Sequence, residues 1–120
     1  MTVSTHVLDA SAGLPAAGVP VSLWFLSSAP SAPSASSASS AGWEAVGSGE
    51  TDGDGRHRFE AATPPGTYRL VFGTGGYFAG RGVAAFYPEV TITFTVSEAP
   101  GHYHVPLLLS PFAYSTYRGS

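Results

Sequence analysis

The chain contains neither cysteine nor lysine among its 120 residues. Without cysteine, disulfides and thiolate metal sites are excluded, and the redox compartment is left open. Only five cations are present, all arginine (Arg56, Arg58, Arg69, Arg81 and Arg118), and they are scattered. Such spacing does not build the basic surface that a nucleic-acid partner needs. Charged residues make up 11% and the formal net charge is -3, so the surface must rely on Ser, Thr, Ala and Gly. Part of that surface is expected to be covered by other subunits. No apolar run approaches the ~18 residues needed to span a bilayer, so no membrane partner is expected. No basic region followed by an apolar stretch opens the chain, and the expected location is cytoplasmic. There is also no Gly-x-Ser-x-Gly elbow for a serine nucleophile. Ser110 and Ser115 flank an apparent turn, where serine hydroxyls bond backbone.

What the chain does have is 15 glycines and 10 prolines separating short β-branched and aromatic runs. That pattern predicts an all-β sandwich or barrel. Strands are expected near Val3–Asp9, Val19–Leu26, Trp43–Gly49, His57–Ala61, Thr67–Phe72, Val90–Val96, Tyr103–Leu109 and Ala113–Arg118. One short helix is expected around Tyr77–Gly82, after Gly75-Gly76. Ser27–Gly42 holds only Ser, Ala, Pro and one Gly. It lacks the apolar surface to offset its ordering entropy and is read as a flexible loop inside one domain spanning 1–120. Asp52-Gly53-Asp54-Gly55 reads as a tight turn. It is not a calcium loop, because the bidentate acid that would follow is missing.

Histidine is the main chemical signal. His102 and His104 are two apart and share one face of a strand. This pair fits three readings: half-buried hydrogen-bonded residues, a proton-transfer site, or two ligands of a zinc site with His6 as the third. Alternation puts Tyr103, Val105, Leu107 and Leu109 on the core face. His104, Pro106 and Leu108 fall on the opposite face, and His6 with Leu8 forms a similar pair in the first strand. A partly apolar face bearing histidines suggests an interface or a cleft. Arg56 follows the Asp52–Gly55 turn and fits either an exposed turn charge or a fork for carbonyl or anionic oxygen. Arg58, two residues on, is not distinguished from it locally.

Three segments carry a sharper signal: Ser4-Thr5-His6-Val7-Leu8-Asp9 continuing to Val21, Thr51-Asp52 through Gly55-Arg56, and His102 through Tyr117-Arg118-Gly119-Ser120. Together they resemble the 5-hydroxyisourate hydrolases, transthyretin-like enzymes of purine catabolism. The resemblance covers nearly everything except Ser27–Gly42. Its most specific element is the terminal Tyr117-Arg118-Gly119-Ser120, which transthyretin lacks together with both histidines. Two departures stand out, the long Ser/Ala/Pro loop and Ala113 where glycine is common.

The resemblance implies a two-sheet transthyretin-like β-sandwich with one short helix. It further implies a homotetramer with active sites where two dimers meet. The implied reaction converts 5-hydroxyisourate to 2-oxo-4-hydroxy-4-carboxy-5-ureidoimidazoline in urate degradation. The catalytic residues it implies are His6, Arg56, His104 and Ser120, with His6, Arg56 and Tyr117 binding substrate, and with no metal and no cofactor. Gly119 is expected to act as a hinge that turns Ser120 inward. The alternative is a transthyretin-like module that binds a small ligand without chemistry.

Overall fold

Alternation decides which face of each strand turns inward. In β1 (Thr2–Asp9), Val3, Thr5, Val7 and Asp9 are buried, and Thr2, Ser4, His6 and Leu8 are half-buried. The structure, a computed structural model, describes residues 2–27, 42–60, 64–97 and 101–119. Within them the remaining elements are β2 (Leu14–Pro15), β3 (Pro20–Leu26), β4 (Trp43–Glu50), β5 (Arg56–Glu60), β6 (Gly66–Phe72), α1 (Thr74–Gly80), β7 (Val90–Val96), β8 (His102–Ser110) and β9 (Ala113–Thr116).

The strands form two sheets, the all-β sandwich the sequence predicts. One has the order β2-β1-β8-β9, with β5 also paired to β1; the other has the order β4-β3-β6-β7. The core fills the space between them. Tyr68, Leu70 and Phe72 of β6 and Leu23 of β3 are fully buried and face Val3, Val7 and Leu107 of the first sheet. Tyr68 is flanked by the rings of Phe25 and Phe94, with centroids 4.9 and 6.1 Å away. Truncating such a residue to alanine costs ~3–5 kcal/mol. On the outside of the second sheet, Arg69 lies over Trp43, 4.3 Å from its ring centroid, and 6.0 Å from that of Trp24.

Strand placement follows the sequence reading closely, with four differences. The helix starts and ends earlier than Tyr77–Gly82. Gly75 approaches the Pro88 carbonyl so closely that a Cβ would lie 2.6 Å from its oxygen, and Gly82, at φ 71°, takes the chain out of the helix. The two-residue β2 was not expected; it pairs with the end of β1. Pro106, expected on the open face, is buried.

The last strand ends at Thr116 rather than Arg118. Pro106 has no N–H, and its carbonyl accepts the Thr116 hydroxyl at 2.7 Å, so its bare nitrogen faces the β9 side. The ladder is interrupted there and resumes as one bridge between His104 and Gly119, in the register of Leu107 with Thr116. Most of Ser27–Gly42 lies outside the described residues. Its two ends meet, the Ser27 N–H donating to the Gly42 carbonyl at 2.6 Å.

Candidate active site

The outer face of the first sheet is a grid set by register. β1 runs between β5, antiparallel, and β8, parallel. One row is Glu60, Thr2 and His102; the next is Arg58, Ser4 and His104; the third is Arg56, His6 and Pro106. Residues directly opposite in a ladder share a face, so eight polar groups from three separate strands are gathered on one surface. A cleft of about 400 Å³ opens on it, lined by Ser4, Thr5, Asp52, Arg56, His57, Arg58, His102 and His104.

Arg56 is aimed by the turn before it. Asp52 Oδ1 accepts the N–H groups of Asp54 and Arg56 at 2.9 and 3.0 Å. These bonds hold its carboxyl below the usual range, assisted by the charges of Arg56 and His6. Gly55 sits at φ 78°, and a Cβ there would meet the Val7 carbonyl oxygen at 2.3 Å, so only glycine passes. The structure also separates the two arginines: Arg58 pairs with Glu60 at 3.4 Å, while Arg56 stands opposite His6.

His104 is held on three sides. Its Nδ1 lies 2.8 Å from Ser4 Oγ. Its carbonyl accepts the Gly119 N–H at 2.8 Å. Gly119 lies against the ring edge, where a Cβ would come within 2.5 Å of Cδ2. Gly119 is absent from the positive-φ residues, so its glycine is required by close approach to His104 and not by the expected hinge. Burial lowers the His104 pKa from the usual imidazole value, and the nearby positive groups of His102, His6 and Arg56 lower it further. A neutral imidazole is thereby favoured, ready to accept a proton.

The described tail carries Tyr117 to a different cleft, which shares only His104 with the first and is lined also by Ile92, Phe94, Tyr103 and Val105. Tyr117 is 60% exposed, and this second cleft, of about 310 Å³, takes in Thr116 and Arg118 as well. Arg118 lies over the Tyr103 ring at 5.0 Å. Ser120 lies outside the described residues. Of the predicted site residues, Arg56 and His104 share the first cleft, His6 stands opposite Arg56 in the ladder without lining it, and Tyr117 meets His104 only in the second cleft. Among the described residues no group of three or more His, Asp or Glu side chains is placed to hold a metal.

The sequence reading missed Ser4 as a site residue. Its hydroxyl lies between His104 Nδ1 and His102 Nε2, at 2.8 and 2.9 Å, and Thr2 Oγ1 bonds the far nitrogen of His102. Alternation with His6 was the available signal; the parallel pairing to β8 was not readable. His57 also joins the cleft lining, but its ring packs edge-on to Phe59 at 4.5 Å and its Nδ1 meets the Glu50 carbonyl at 3.2 Å.

A family description, HIUase/Transthyretin, matches residues 3–119 of this chain. The chain belongs to the HIUase/Transthyretin family. The 5-hydroxyisourate hydrolase of Salmonella dublin is 42% identical, over 98% of this chain and 80% of that protein. The solved structure of Klebsiella pneumoniae 5-hydroxyisourate hydrolase superimposes with a TM-score of 0.80 at 36% identity, covering all of both chains. Sea bream transthyretin in complex with thyroxine gives the same TM-score, 0.80, at 29% identity, over 98% of this chain and 93% of that one. The fold is therefore shared by a 5-hydroxyisourate hydrolase and by a transthyretin that binds thyroxine.

Proposed function

We propose that this protein hydrolyses 5-hydroxyisourate to 2-oxo-4-hydroxy-4-carboxy-5-ureidoimidazoline, with His6, Arg56 and His104 in the site. The observation that carries this reading is His104: an imidazole favoured neutral by burial and by repulsion from His102, His6 and Arg56, fixed between Ser4 and Gly119 at a cleft. A neutral, oriented imidazole suits general-base work. His104 takes a proton from water as its oxygen attacks a ring carbonyl. Arg56 offers a planar fork of donors to the oxygen-rich substrate and to charge growing on the carbonyl oxygen. His6, beside Arg56, binds the substrate, and the ring C–N bond opens as the nitrogen takes a proton back from the imidazolium. Tyr117 supplies a flat contact, and the Ser120 hydroxyl orients water or the leaving nitrogen.

The active unit in this reading is a homotetramer with the site between dimers. Exposed Leu14, Phe86, Phe112, Tyr114 and Tyr117 support an assembly that covers apolar surface. A ligand carrier would use the same face for binding alone, but the eight polar residues that line the cleft are poorly suited to a mainly apolar ligand. Adding the protein to freshly generated 5-hydroxyisourate and following the ultraviolet absorbance decay tests the activity. A decay no faster than the spontaneous one would refute it. Light scattering on an eluting peak tests the tetramer.

A further inference from the structure

Ser4 has one hydroxyl proton and two imidazole nitrogens within reach, His104 Nδ1 at 2.8 Å and His102 Nε2 at 2.9 Å. It can donate to only one of them and must accept from the other. The two rings, stacked at 6.3 Å and 15°, therefore cannot choose their tautomers independently. Beyond His102, its Nδ1 meets Thr2 Oγ1, and the chain ends at exposed positions. Two proton arrangements satisfy every link. In one, His104 Nδ1–H donates to Ser4, Ser4 donates to His102 Nε2, and His102 Nδ1–H donates to Thr2. In the other, every donor is reversed, and neutral His104 carries its proton on Nε2.

Only the first leaves a lone pair on Nε2, the nitrogen of His104 not engaged by Ser4. A base on a ring nitrogen needs its other nitrogen held as a donor, which fixes both tautomer and orientation. We propose that Ser4, backed by His102, is a positioning residue that holds His104 as the Nδ1–H tautomer, presenting Nε2 as the proton acceptor. This rests on the reading of His104 as the base. Ser4 itself touches no reacting atom. It acts through His104, as His102 acts through Ser4, while Arg56, Arg58 and Asp52 line the same cleft, and His6 stands beside Arg56, without bonding to Ser4.

The test is imidazole ¹⁵N chemical shifts at pH about 8, where histidine is neutral, paired with kinetics. Wild-type His104 should be the Nδ1–H form. In Ser4→Ala it should move to a mixture dominated by Nε2–H, and kcat should fall ~10–100-fold with KM changed less than ~threefold. Ser4→Thr keeps the hydroxyl and should restore most of kcat and the wild-type tautomer. His102→Gln should shift the His104 tautomer less than Ser4→Ala does. The proposal is overturned if wild-type His104 is Nε2–H, or if Ser4→Ala leaves the tautomer or kcat at the wild-type value. If the wild type shows no turnover, the hydrolase reading fails, and the tautomer measurement still decides the role of Ser4.

Discussion

Gly119 and His104 touch twice: the Gly119 N–H donates to the His104 carbonyl at 2.8 Å, and a Cβ on Gly119 would come 2.5 Å from the imidazole Cδ2. The tail thus closes on the ring it serves, and any side chain at 119 must push that ring. Gly119→Ala should lower kcat ~10-fold or more, since a displaced base loses near-attack geometry. The core strands are untouched, so the thermal midpoint should move by only a few degrees. A Gly119→Ala protein with wild-type turnover would show that the ring has room after all.

Removing Gly119 and Ser120 together deletes the bridge that follows the Pro106 interruption. Most activity should disappear while circular dichroism stays as in the intact protein. Ser120→Ala separates the two effects: if the hydroxyl orients water or leaving nitrogen, it lowers turnover with the bridge still in place.

Replacing His104 by alanine should reduce kcat ~100-fold or more, the scale of a positioned proton-transfer group, while His6→Ala should act mainly by raising KM. Arg56→Lys should also fail badly, because an ammonium lacks the planar fork. His102→Ala should be milder than these, since the hydrogen bonds of His102 reach His104 only by way of Ser4.

The pH profile follows from the direction of the His104 shift. Its folded pKa lies below the usual 6.5, so the base stays neutral to lower pH and the acidic limb of kcat/KM should fall below pH 6.5. His102→Gln removes one of the positive neighbours that lower it, so the limb should move up towards 6.5. The same shift means that His104 adds stability above pH 6.5, which is lost as the pH falls through its folded pKa. An acidic limb above 6.5 in the wild type would contradict this electrostatic picture.

Asp9 ties the helix to the first sheet. It is buried, yet its carboxylate accepts Ser11 N–H, Ser11 Oγ–H, Ala12 N–H and the Tyr77 hydroxyl. Burial raises its pKa, the bonds together outweigh that, and the net position is below 3.8. Its contribution is therefore present above pH 3.8 and lost as the pH falls through the lower folded value. Asp9→Ala should cost ~1–3 kcal/mol at neutral pH by leaving buried donors without an acceptor. Urea unfolding at pH 7 measures this, and Asp9→Asn should flatten the loss of stability below pH 4.

Sequence patterning was enough to give the all-β class, sandwich or barrel, because alternation in Val3–Asp9, Tyr103–Leu109 and Thr91–Val96 depends only on which side chains leave water; the family resemblance narrowed it to two sheets. The local turn that aims Arg56 was legible for the same reason: Asp52 and Gly55 act within five residues. Alternation also placed His6 and His104 on open faces, correctly.

What the chain could not reveal by itself was register. Ser4 meets His104, and His6 meets Arg56, only because β1 lies between β8 and β5 with no residue slipped; a shift of one would turn every side chain to the other face. The reason for Gly119 belonged to the same class. Its neighbour is an imidazole fifteen residues back in sequence but in van der Waals reach across the ladder, and the gap before it comes from Pro106 lacking a hydrogen on the β9 side. Local sequence determined which residues form strands and which face they show. Pairing between distant strands, set by the packing of both sheets on one core, decided which of those faces became a site.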